Sequence, residues 1–483
     1  MTGARGGRIS ESVGRVALMC GGLLFALLGQ VTVIQAFGTS ALNADRRNER
    51  PLIERYSHPR GDILTYDGTP VAVSRPSGGG PYRFRRVYPH GPVYAAVTGH
   101  LALHRATGIE QTEDGVLSGA DARVRVRSLV RAGEVEGADV RLTISDRAQR
   151  AAYEGLRVAG VPGAVVALHP ATGAVLALAS YPSYDPNVFT TFDRDVLDAT
   201  GRRLREDPGR PLLNRALNRP YPPGATFKLV TTAAALSSGE YTPSSLVDAP
   251  ALLSLPGGRQ VVRNNPGCDD AHPTLIYAFQ VSCETAFAGI GLQLGQDLLR
   301  DQAEAFGFNA GPLAIPLPAT PSRYPLSMDR AQTALAAIGH HDNRATPLMI
   351  AMLSAAVANG GVLMRPYLVE EVRLPDGSVI NQAAPAPWRV AMPPALARHL
   401  AALMTTVTRA GGTGTSAAPP GVEAAARTAK SAPQAPDQEQ ALVTAFAPAD
   451  RPEVAVGVVL ERPGARAAAV ATIARAVIQA ALS

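Results

Sequence analysis

The chain has 483 residues, with 46 Lys and Arg against 40 Asp and Glu, and a formal net charge of +6. An apolar content of 46% predicts a large folded core, and a charged content of 18% is too low for a disordered polyelectrolyte. No run of five like charges and no zinc-finger or helix-turn-helix pattern occurs, so the sequence does not support nucleic-acid binding.

An uncharged segment near the N-terminus predicts a membrane anchor. Residues 16–38 are apolar and long enough to cross about 30 Å of hydrocarbon as one helix. Three arginines and one glutamate precede this segment. The positive-inside rule therefore places residues 1–15 in the cytoplasm and the bulk of the chain outside the cell membrane, as a single-pass protein. A cleaved signal peptide is the alternative.

Two regions follow the anchor. Residues 39–138 are rich in Arg, Gly and Pro, and their short strand-like runs predict an extended β-rich module. In one such run, 123–127, Arg and Val alternate, so the arginines face either anionic polymer or plain solvent. Residues 139–483 have strand patterns at both ends and helical patterns between them, which predicts an α+β fold with helices covering an antiparallel sheet.

The predicted elements of this second region follow one another in a simple order. They are a strand at 140–144, a helix at 146–156, strands at 163–168 and 174–178 joined by the turn 170–173, helices at 225–237, 277–294 and 329–358, strands at 442–446 and 454–460, and a closing helix at 468–482.

Short motifs in a fixed order resemble the class B penicillin-binding proteins. Those of the first region resemble the membrane-proximal pedestal (dimerisation-like) domain, and lie at 60–68, 88–91 and 94–99. Those of the second region resemble the transpeptidase domain, and lie at 139–143, 170–180, 182–187, 213–215, 221–224, 303–308, 345–348 and 446–450.

The resemblance implies a penicilloyl-serine transferase fold, similar to serine β-lactamases, with an antiparallel sheet and a helical subdomain. It also implies a place in peptidoglycan synthesis, a multi-pass membrane glycan polymerase of the shape, division or sporulation type as partner, and no cofactor. Peptidoglycan stem peptides are the implied ligands. Activity does not follow from the fold, because function depends on the site itself.

The first catalytic motif departs from the family pattern. The chemistry requires Ser-x-x-Lys at the start of a helix, so that the amine lies one turn from the hydroxyl and accepts its proton. In this chain the motif runs from Ala225 to Lys228. An alanine has no oxygen to attack a carbonyl, and loss of such a nucleophile typically costs about 10⁶ in turnover. We expect no acyl-enzyme at this position.

The second motif, Ser-x-Asn, resembles Ser282-Cys-Glu284. Glu284 replaces an amide, and its carboxylate is expected to raise the pKa of Lys228 and to repel the terminal carboxylate of a donor peptide. The alternative is that Glu284 points to solvent. Lys228 itself is interpreted either as a pocket residue that contacts a ligand or as a buried ammonium paired with Glu284 and Ser282 for stability.

The third motif, Lys-Thr-Gly on an inner strand, aligns with Arg427, Thr428 and Ala429. Arginine still pairs with a carboxylate, so Arg427 and Thr428 join Lys228 and Ser282 as predicted ligand contacts. The Cβ of Ala429 is expected to narrow the groove that substrate approaches.

Other chemistry has weaker support. Ser282 and Thr226 are the remaining candidate nucleophiles, but Thr226 lies one residue along the helix and points about 100° away. The run His340-His-Asp342 is expected to be a surface or groove-edge cluster, and no metal site is predicted.

Three cysteines occur, of which Cys20 lies in the predicted anchor. Cys268 and Cys283 lie 15 residues apart in the predicted extracytoplasmic region, where a disulfide is permitted. Two buried thiols are the alternative, since the sequence does not give the Cα separation.

Three functions remain open. The first is a catalytically silent penicillin-binding-protein homologue that acts through contacts, as a membrane scaffold or a regulator of a glycan polymerase. The second is a module that binds stem peptides or β-lactams without a covalent bond. The third is a D,D-transpeptidase with Ser282 as a displaced nucleophile.

Overall fold

The computed structural model describes residues 6–35, 50–125, 136–258, 260–431, 439–462, 464 and 468–483. The chain forms two compact units. One comprises Met1–His58 and Ser77–Phe84, and the other comprises Pro59–Pro76 and Arg85–Ser483.

The first unit contains helices α1 (Gly6–Val33) and α2 (Arg50–Arg55). Within α1, Val13–Val33 is long and apolar enough to cross a membrane, and its side chains are exposed. This finding is consistent with the predicted single anchor. The predicted end of the anchor, residue 38, lies outside the described residues.

The rest of the described chain contains further helices, which in chain order are α3 (Gly91–Thr98), α4 (Ile109–Thr112), α5 (Asp114–Leu117), α6 (Asp146–Ala159), α7 (Arg194–Glu206), α8 (Arg215–Asn218), α9 (Lys228–Ser237), α10 (Leu275–Val281), α11 (Glu284–Ala305), α12 (Arg330–Ala337), α13 (Pro347–Ala358), α14 (Pro394–Thr408) and α15 (Ala469–Leu482), with 3₁₀ turns at Pro186–Phe189, Gly224–Phe227 and Thr415–Ala417.

The strands are β1 (Ile63–Leu64), β2 (Pro70–Pro76), β3 (Phe84–Val87), β4 (Asp139–Leu142), β5 (Gly163–Leu168), β6 (Val175–Tyr181), β7 (Leu252–Ser254), β8 (Val261–Arg263), β9 (Leu313–Ala314), β10 (Pro318–Ala319), β11 (Val362–Met364), β12 (Val369–Arg373), β13 (Val379–Gln382), β14 (Pro387–Val390), β15 (Ala425–Ser431), β16 (Gln440–Ala447) and β17 (Val454–Glu461).

A five-stranded antiparallel sheet, in the order β15-β16-β17-β5-β6, carries the core. Its central strands are near-continuous runs of Val, Ala and Leu and are buried on both faces, since α6 and α15 cover one face and α13 the other. The Cβ of any side chain at Gly457 would lie 2.5 Å from the backbone nitrogen of Ala351, so this glycine lets α13 lie directly on β17. The predicted helix-covered antiparallel sheet is confirmed.

A second sheet has six strands in the order β13-β12-β4-β1-β2-β3. Strands β1 and β4 pair in parallel, with Ile63 opposite Val140. Strands β4, β12 and β13 come from beyond residue 138, so this sheet includes segments from both sides of the predicted boundary between the pedestal and the transpeptidase-like region. That boundary stays a prediction.

Three sequence predictions of local structure are wrong. The alternating run at 123–127 is not a strand over its described part, because residues 122–125 are helical; residues 126–127 lie outside the described residues. The single helix predicted at 277–294 is broken at Ser282, which has a φ of 67°. The helix predicted at 329–358 is two helices, α12 and α13, joined by a loop that contains Gly339 with a φ of 76°.

Candidate active site

Three segments meet at one edge of the five-stranded sheet. They are the 3₁₀ turn that leads into α9, the junction between α10 and α11, and β15 itself. These segments carry the three degenerate motifs, so the fold brings all the motif positions together.

The first segment places a methyl group where the chemistry requires a hydroxyl. Ala225 lies in the 3₁₀ turn and is 5% exposed, and Lys228 begins α9 and is fully buried. The turn is fixed by Gly224, whose N–H donates to the carbonyl of Gly339 over 3.1 Å. A Cβ on Gly339 would lie 1.9 Å from the Gly224 oxygen, so the two backbones are in direct contact.

Ser282 ends α10 in the left-handed conformation and directs its hydroxyl into the site. Its Oγ accepts hydrogen bonds from Lys228 Nζ over 3.1 Å and from Arg427 Nη2 over 2.8 Å. Lys228 Nζ also donates to the backbone oxygen of Ser282 over 3.3 Å. The Ser282 hydroxyl therefore accepts hydrogen bonds from two cations. A general base would instead have to accept a hydrogen bond from this hydroxyl in order to remove its proton.

Glu284 turns into the site, and the alternative that it faces solvent is wrong. Its Oε1 lies 2.8 Å from Lys228 Nζ and accepts from Asn265 Nδ2 over 3.3 Å. Its side chain is 15% exposed, and Oε2 is buried without a hydrogen-bond partner. The arrangement of Lys228, Glu284 and Ser282 is the buried ammonium pair, one of the two interpretations of Lys228 that the sequence left open.

The expected upward shift of the lysine pKa is wrong. Burial lowers the pKa of Lys228 to about 8, and it outweighs the opposing attraction of Glu284; the charge of Arg427 lowers the pKa further. The sequence motifs indicate the Coulomb attraction but not the desolvation that opposes it. At neutral pH the group is still mainly an ammonium.

Arg427 points into the protein and is fully buried. Its Nε donates to the carbonyl of Ala225 over 3.0 Å, and its Nη1 donates to the carbonyl of Phe279. The guanidinium carbon lies 4.5 Å from the centroid of the Phe279 ring. Burial lowers the pKa of Arg427 to about 10, so the group remains a cation at neutral pH.

This packing affects the predicted ligand contacts. Lys228 and Arg427 have no exposed surface, and their hydrogen bonds go to protein oxygens. A ligand carboxylate would reach either cation only after these bonds break. The assignment of Lys228, Ser282, Arg427 and Thr428 as ligand contacts stays a prediction.

The rest of the third motif lies nearer the surface. Thr428 is half-buried, and its Oγ1 lies 2.9 Å from Thr413 Oγ1. Ala429 pairs with Leu442 in the sheet, and its Cβ lies 3.4 Å from the position a Cβ would take on Gly224. The methyl of Ala429 thus fills space between β15 and the turn that carries Ala225.

Thr226 does not reach the site. Its hydroxyl is buried and donates to the Pro223 carbonyl over 2.7 Å. Among the two candidate nucleophiles, only Ser282 contacts Lys228.

Two known family models match the parts of the chain that build this site and the region before it. The model of the penicillin binding protein transpeptidase domain matches residues 163–479. The model of the penicillin binding protein A dimerisation domain matches residues 60–140. The chain belongs to the class B penicillin-binding protein transpeptidase family. The family resemblance stated from the motifs is confirmed.

Relatives of this penicillin-binding protein align over almost its whole length. The peptidoglycan D,D-transpeptidase PbpA of Mycolicibacterium smegmatis is 40% identical over 98% of this chain and 99% of its own. The Mycobacterium tuberculosis protein of the same name is 38% identical over the same shares. The solved ceftriaxone acyl-enzyme complex of M. tuberculosis penicillin-binding protein A matches 89% of this chain and 100% of its own, at 38% identity and a TM-score of 0.84.

Three residues of this penicillin-binding protein's site were not found from its sequence. Asn265 contacts Glu284, while Phe279 and Phe287 lie under the two cations, with Lys228 Nζ 5.2 Å from the Phe287 centroid. The two phenylalanines lie three residues before Ser282 and three after Glu284, a helical spacing that could have indicated them. The sequence carries no comparable signal for Asn265.

His340, from the run that the sequence analysis expected at the surface or groove edge, is half-buried beside the site and interacts electrostatically with Lys228 and Glu284. Burial is the main cause of the lowered pKa of its ring, so the imidazole is neutral at neutral pH. The neighbouring His341 lies 4.0 Å from Asp342, and no group of metal ligands forms among the residues that the structure describes.

Cys268 and Cys283 form a disulfide with their Cα atoms 5.5 Å apart, which decides between the two alternatives left by the sequence. Because Cys283 lies between Ser282 and Glu284, the bond ties the segment after β8 to the second motif. Asn265, on that segment, donates to Glu284 Oε1. Cys20 is a free, exposed thiol in α1.

Proposed function

We propose that this cell-wall penicillin-binding protein forms no acyl-enzyme at residue 225 and acts through contacts, as a membrane scaffold or regulator of a multi-pass glycan polymerase. The proposal also places its N-terminus in the cytoplasm and the sheets outside the membrane. Support comes from the family, whose curated relatives are peptidoglycan D,D-transpeptidases, and from the site, whose nucleophile position is a methyl group.

The observation that carries the proposal is the hydrogen bond from Arg427 Nε to the carbonyl of Ala225. This bond, with Lys228 held by Glu284, fills the interior of the site with protein contacts. A single reverse substitution of the alanine would therefore leave the lysine engaged as an ammonium and the arginine in place. On this proposal, the loss of acyl transfer involves more than the missing hydroxyl oxygen at residue 225.

A fluorescent penicillin and intact-mass measurement test the first half of the proposal. We expect no adduct on the full chain in nanodiscs, and none on Ala225→Ser. We expect an adduct on the combined variant that also carries Glu284→Asn, Arg427→Lys and Ala429→Gly, which restores the family pattern. An adduct on the native chain, or on Ala225→Ser alone, would contradict a site altered beyond its nucleophile.

A complementation experiment tests the second half. In cells that depend on this protein, replacing residues 13–33 by an unrelated apolar span should abolish its role, while Lys228→Met, at a comparable protein level, should not. The opposite pattern would indicate that the pocket, and not the anchor, carries the function.

A second candidate rests on one distance. Ser282 Oγ lies 3.1 Å from Lys228 Nζ, which is within reach of a nucleophile and its base. Against this, the hydroxyl also accepts from Arg427, and the lysine is mainly protonated at neutral pH. Mapping a penicilloyl adduct of the native chain to Ser282 would establish a transpeptidase with a displaced nucleophile.

A further inference from the structure

A groove of about 670 Å³ lies between the turn of the β7–β8 hairpin and one face of α12. The turn contributes 256–257 and Gln260, the helix contributes residues from its N-cap to Leu335, and His341 follows the helix. None of these described lining residues belongs to the three degenerate motifs. The volume lies within the range of about 300–1,000 Å³ that is typical of ligand sites, so the groove is a candidate site in its own right.

The groove carries a negative charge. Asp329 is the N-cap of α12, and its Oδ1 accepts from the backbone N–H of Gln332 over 2.8 Å. The other oxygen, Oδ2, has no hydrogen-bond partner within the described part of the chain, and the residue is exposed. The carboxylate carries a full negative charge against about half a positive charge at the helix N-terminus, and no other Asp, Glu, Lys or Arg occurs among the described lining residues. The groove therefore attracts a cation.

Two carboxamides in the wall match a peptide main chain. Gln332 Oε1 accepts from the backbone N–H of Asp329 over 2.9 Å, which leaves Nε2 as a donor. Gln260 is exposed, and its carboxamide makes no hydrogen bond to the described residues. A carboxamide both donates and accepts, and an extended chain presents N–H and C=O groups that need partners. Ala331 and Leu335 are half-buried and add an apolar surface to the same groove.

His341 has a left-handed backbone at the groove, with a φ of 59° that non-glycine residues seldom adopt. Such a conformation persists where surrounding contacts fix it, and here Arg344 Nη1 donates to the His341 carbonyl over 3.1 Å. The ring is 24% exposed and makes no hydrogen bond to the described residues. The preceding residue, His340, donates its N–H to the carbonyl of Leu335 over 2.9 Å and interacts with Glu284. An occupant of the groove would therefore lie against the loop that connects it to the degenerate site.

We propose that this groove binds an extended segment of a partner protein that carries a lysine or arginine side chain. The cation pairs with Asp329, and the main chain of the segment bonds to Gln260 and Gln332. An acidic segment would be repelled by the carboxylate. A purely apolar segment would remove water from the carboxylate and the carboxamides without replacing their hydrogen bonds. The basic side chain therefore decides which segments bind.

This proposal does not depend on the absence of acyl transfer. An adduct at residue 225 or at Ser282 would overturn the proposed function and leave the groove unaffected. Failure of peptide binding would overturn only the groove proposal.

The test is a peptide selection on the full chain in nanodiscs, with empty nanodiscs as the counter-selection. Random linear heptapeptides displayed on phage should enrich sequences that share a lysine or arginine. A synthetic peptide of the enriched sequence should bind with a Kd on the order of 10 μM, measured by fluorescence anisotropy. A selection that enriches no sequence, or enriches sequences without a basic residue, would overturn the proposal. Equally tight binding of N-acetyl-lysine amide would also overturn it, because the occupant would then be a small cation, as would displacement of the peptide by a peptidoglycan stem peptide.

Asp329→Asn isolates the ion pair. Asparagine caps a helix about as well as aspartate does, so α12 should keep its N-cap while the groove loses its charge. The peptide should bind Asp329→Asn at least about threefold more weakly, and should bind Asp195→Asn, at an exposed first-turn carboxylate of α7 outside the groove, unchanged. Replacing the basic residue of the peptide by norleucine should cause a similar loss on the native chain and no further loss on Asp329→Asn. Unchanged binding to Asp329→Asn, or independent losses from the two changes, would overturn the proposal.

A charge pair at the groove edge checks the sign of the ligand. Gln260 is exposed and lines the groove, so Gln260→Glu and Gln260→Lys should both fold. For a basic segment, Gln260→Glu should tighten binding and Gln260→Lys should weaken it, each by about twofold to fivefold. Changes of the same sign would show that the groove does not select a cation and would overturn the proposal.

A filling variant locates the binding. Ala331→Phe places a ring in the groove from a half-buried position of α12 and should weaken binding at least about tenfold. Binding retained in the folded Ala331→Phe variant would place the peptide elsewhere and overturn the proposal. If Ala331→Phe does not fold, the two variants at the exposed Gln260 still decide.

Discussion

Glu284→Gln should convert Lys228 from an ammonium to a neutral amine at neutral pH. Lys228 Nζ and Glu284 Oε1 lie 2.8 Å apart, and at an effective dielectric of about 20 two unit charges at this distance attract by roughly 6 kcal/mol. Glu284 is 15% exposed and the glutamine oxygen still accepts a hydrogen bond. We therefore assign about half of that energy to the loss, which is about two pKa units. Starting from about 8, the pKa of Lys228 should fall to near 6.

The composition of the chain makes this measurement direct. Lys228 and Lys430 are its only lysines. Protein labelled with ¹³C-lysine therefore gives two side-chain resonances, whose shifts are followed against pH in nanodiscs. Lys430 is exposed, and Lys430→Met removes its resonance without touching the site, which assigns the other.

Two results would contradict this expectation. If Lys228 titrates above its ordinary value of 10.5 in the native chain, burial does not outweigh Glu284, and the upward shift expected from the sequence is correct after all. If Glu284→Gln leaves the pKa unchanged, the 2.8 Å ion pair does not hold the lysine.

Three further predictions concern stability. Lys228 has a pKa of about 8 in the folded protein against an ordinary value of 10.5, so the unfolded chain binds more protons between these two pH values. The free energy of unfolding should therefore rise with pH across this window, by at most about 3 kcal/mol. Chemical denaturation at several pH values should show this rise for the native chain and not for Lys228→Met. Reduction of Cys268–Cys283, which closes a loop of about 15 residues, should lower stability by about 2–4 kcal/mol, seen as a lower Tm with reductant that a double Cys→Ala variant no longer shows. Glu110 is buried and forms ion pairs with the buried Arg60 and Arg86. Glu110→Ala should cost about 3–5 kcal/mol, because it leaves Arg86 without a carboxylate partner and Arg60 with Asp114 alone, and a Tm equal to that of the native chain would contradict this.

The fold was largely predictable because most of its elements follow periodic apolar patterns. The strands β5, β6, β16 and β17 and the closing helix lie where the sequence places them. Two of the three errors occur where one residue with a positive φ, Ser282 or Gly339, interrupts a helical pattern. Ser282 interrupts an apolar helical run by taking a positive φ, and residues 275–288 contain no glycine or proline to indicate the break.

The motif positions of the site were also predictable, but their chemistry was only partly so. The ion pair between Lys228 and Glu284 follows from the spacing of known motifs. The inward direction of the Arg427 side chain does not follow from the motifs, since an arginine on an edge strand can reach either solvent or the interior. The carbonyls of Ala225 and Phe279, which accept its hydrogen bonds, hold it in the interior. Desolvation of Lys228 depends on total burial, which no local pattern reports.

The six-stranded sheet has a consequence for how this protein can be divided. Its neighbours β1, β4 and β12 are separated along the chain by nearly 80 and then more than 200 residues, since Ile63 pairs with Val140 and Val140 pairs with Val372. The sheet is complete only after nearly four-fifths of the chain has been made, and such non-local pairing slows folding. A fragment that ends near residue 138 would expose an unpaired β1 edge. The N-terminal region is therefore not an interchangeable module, and chimaeras should carry β12 and β13 together with it.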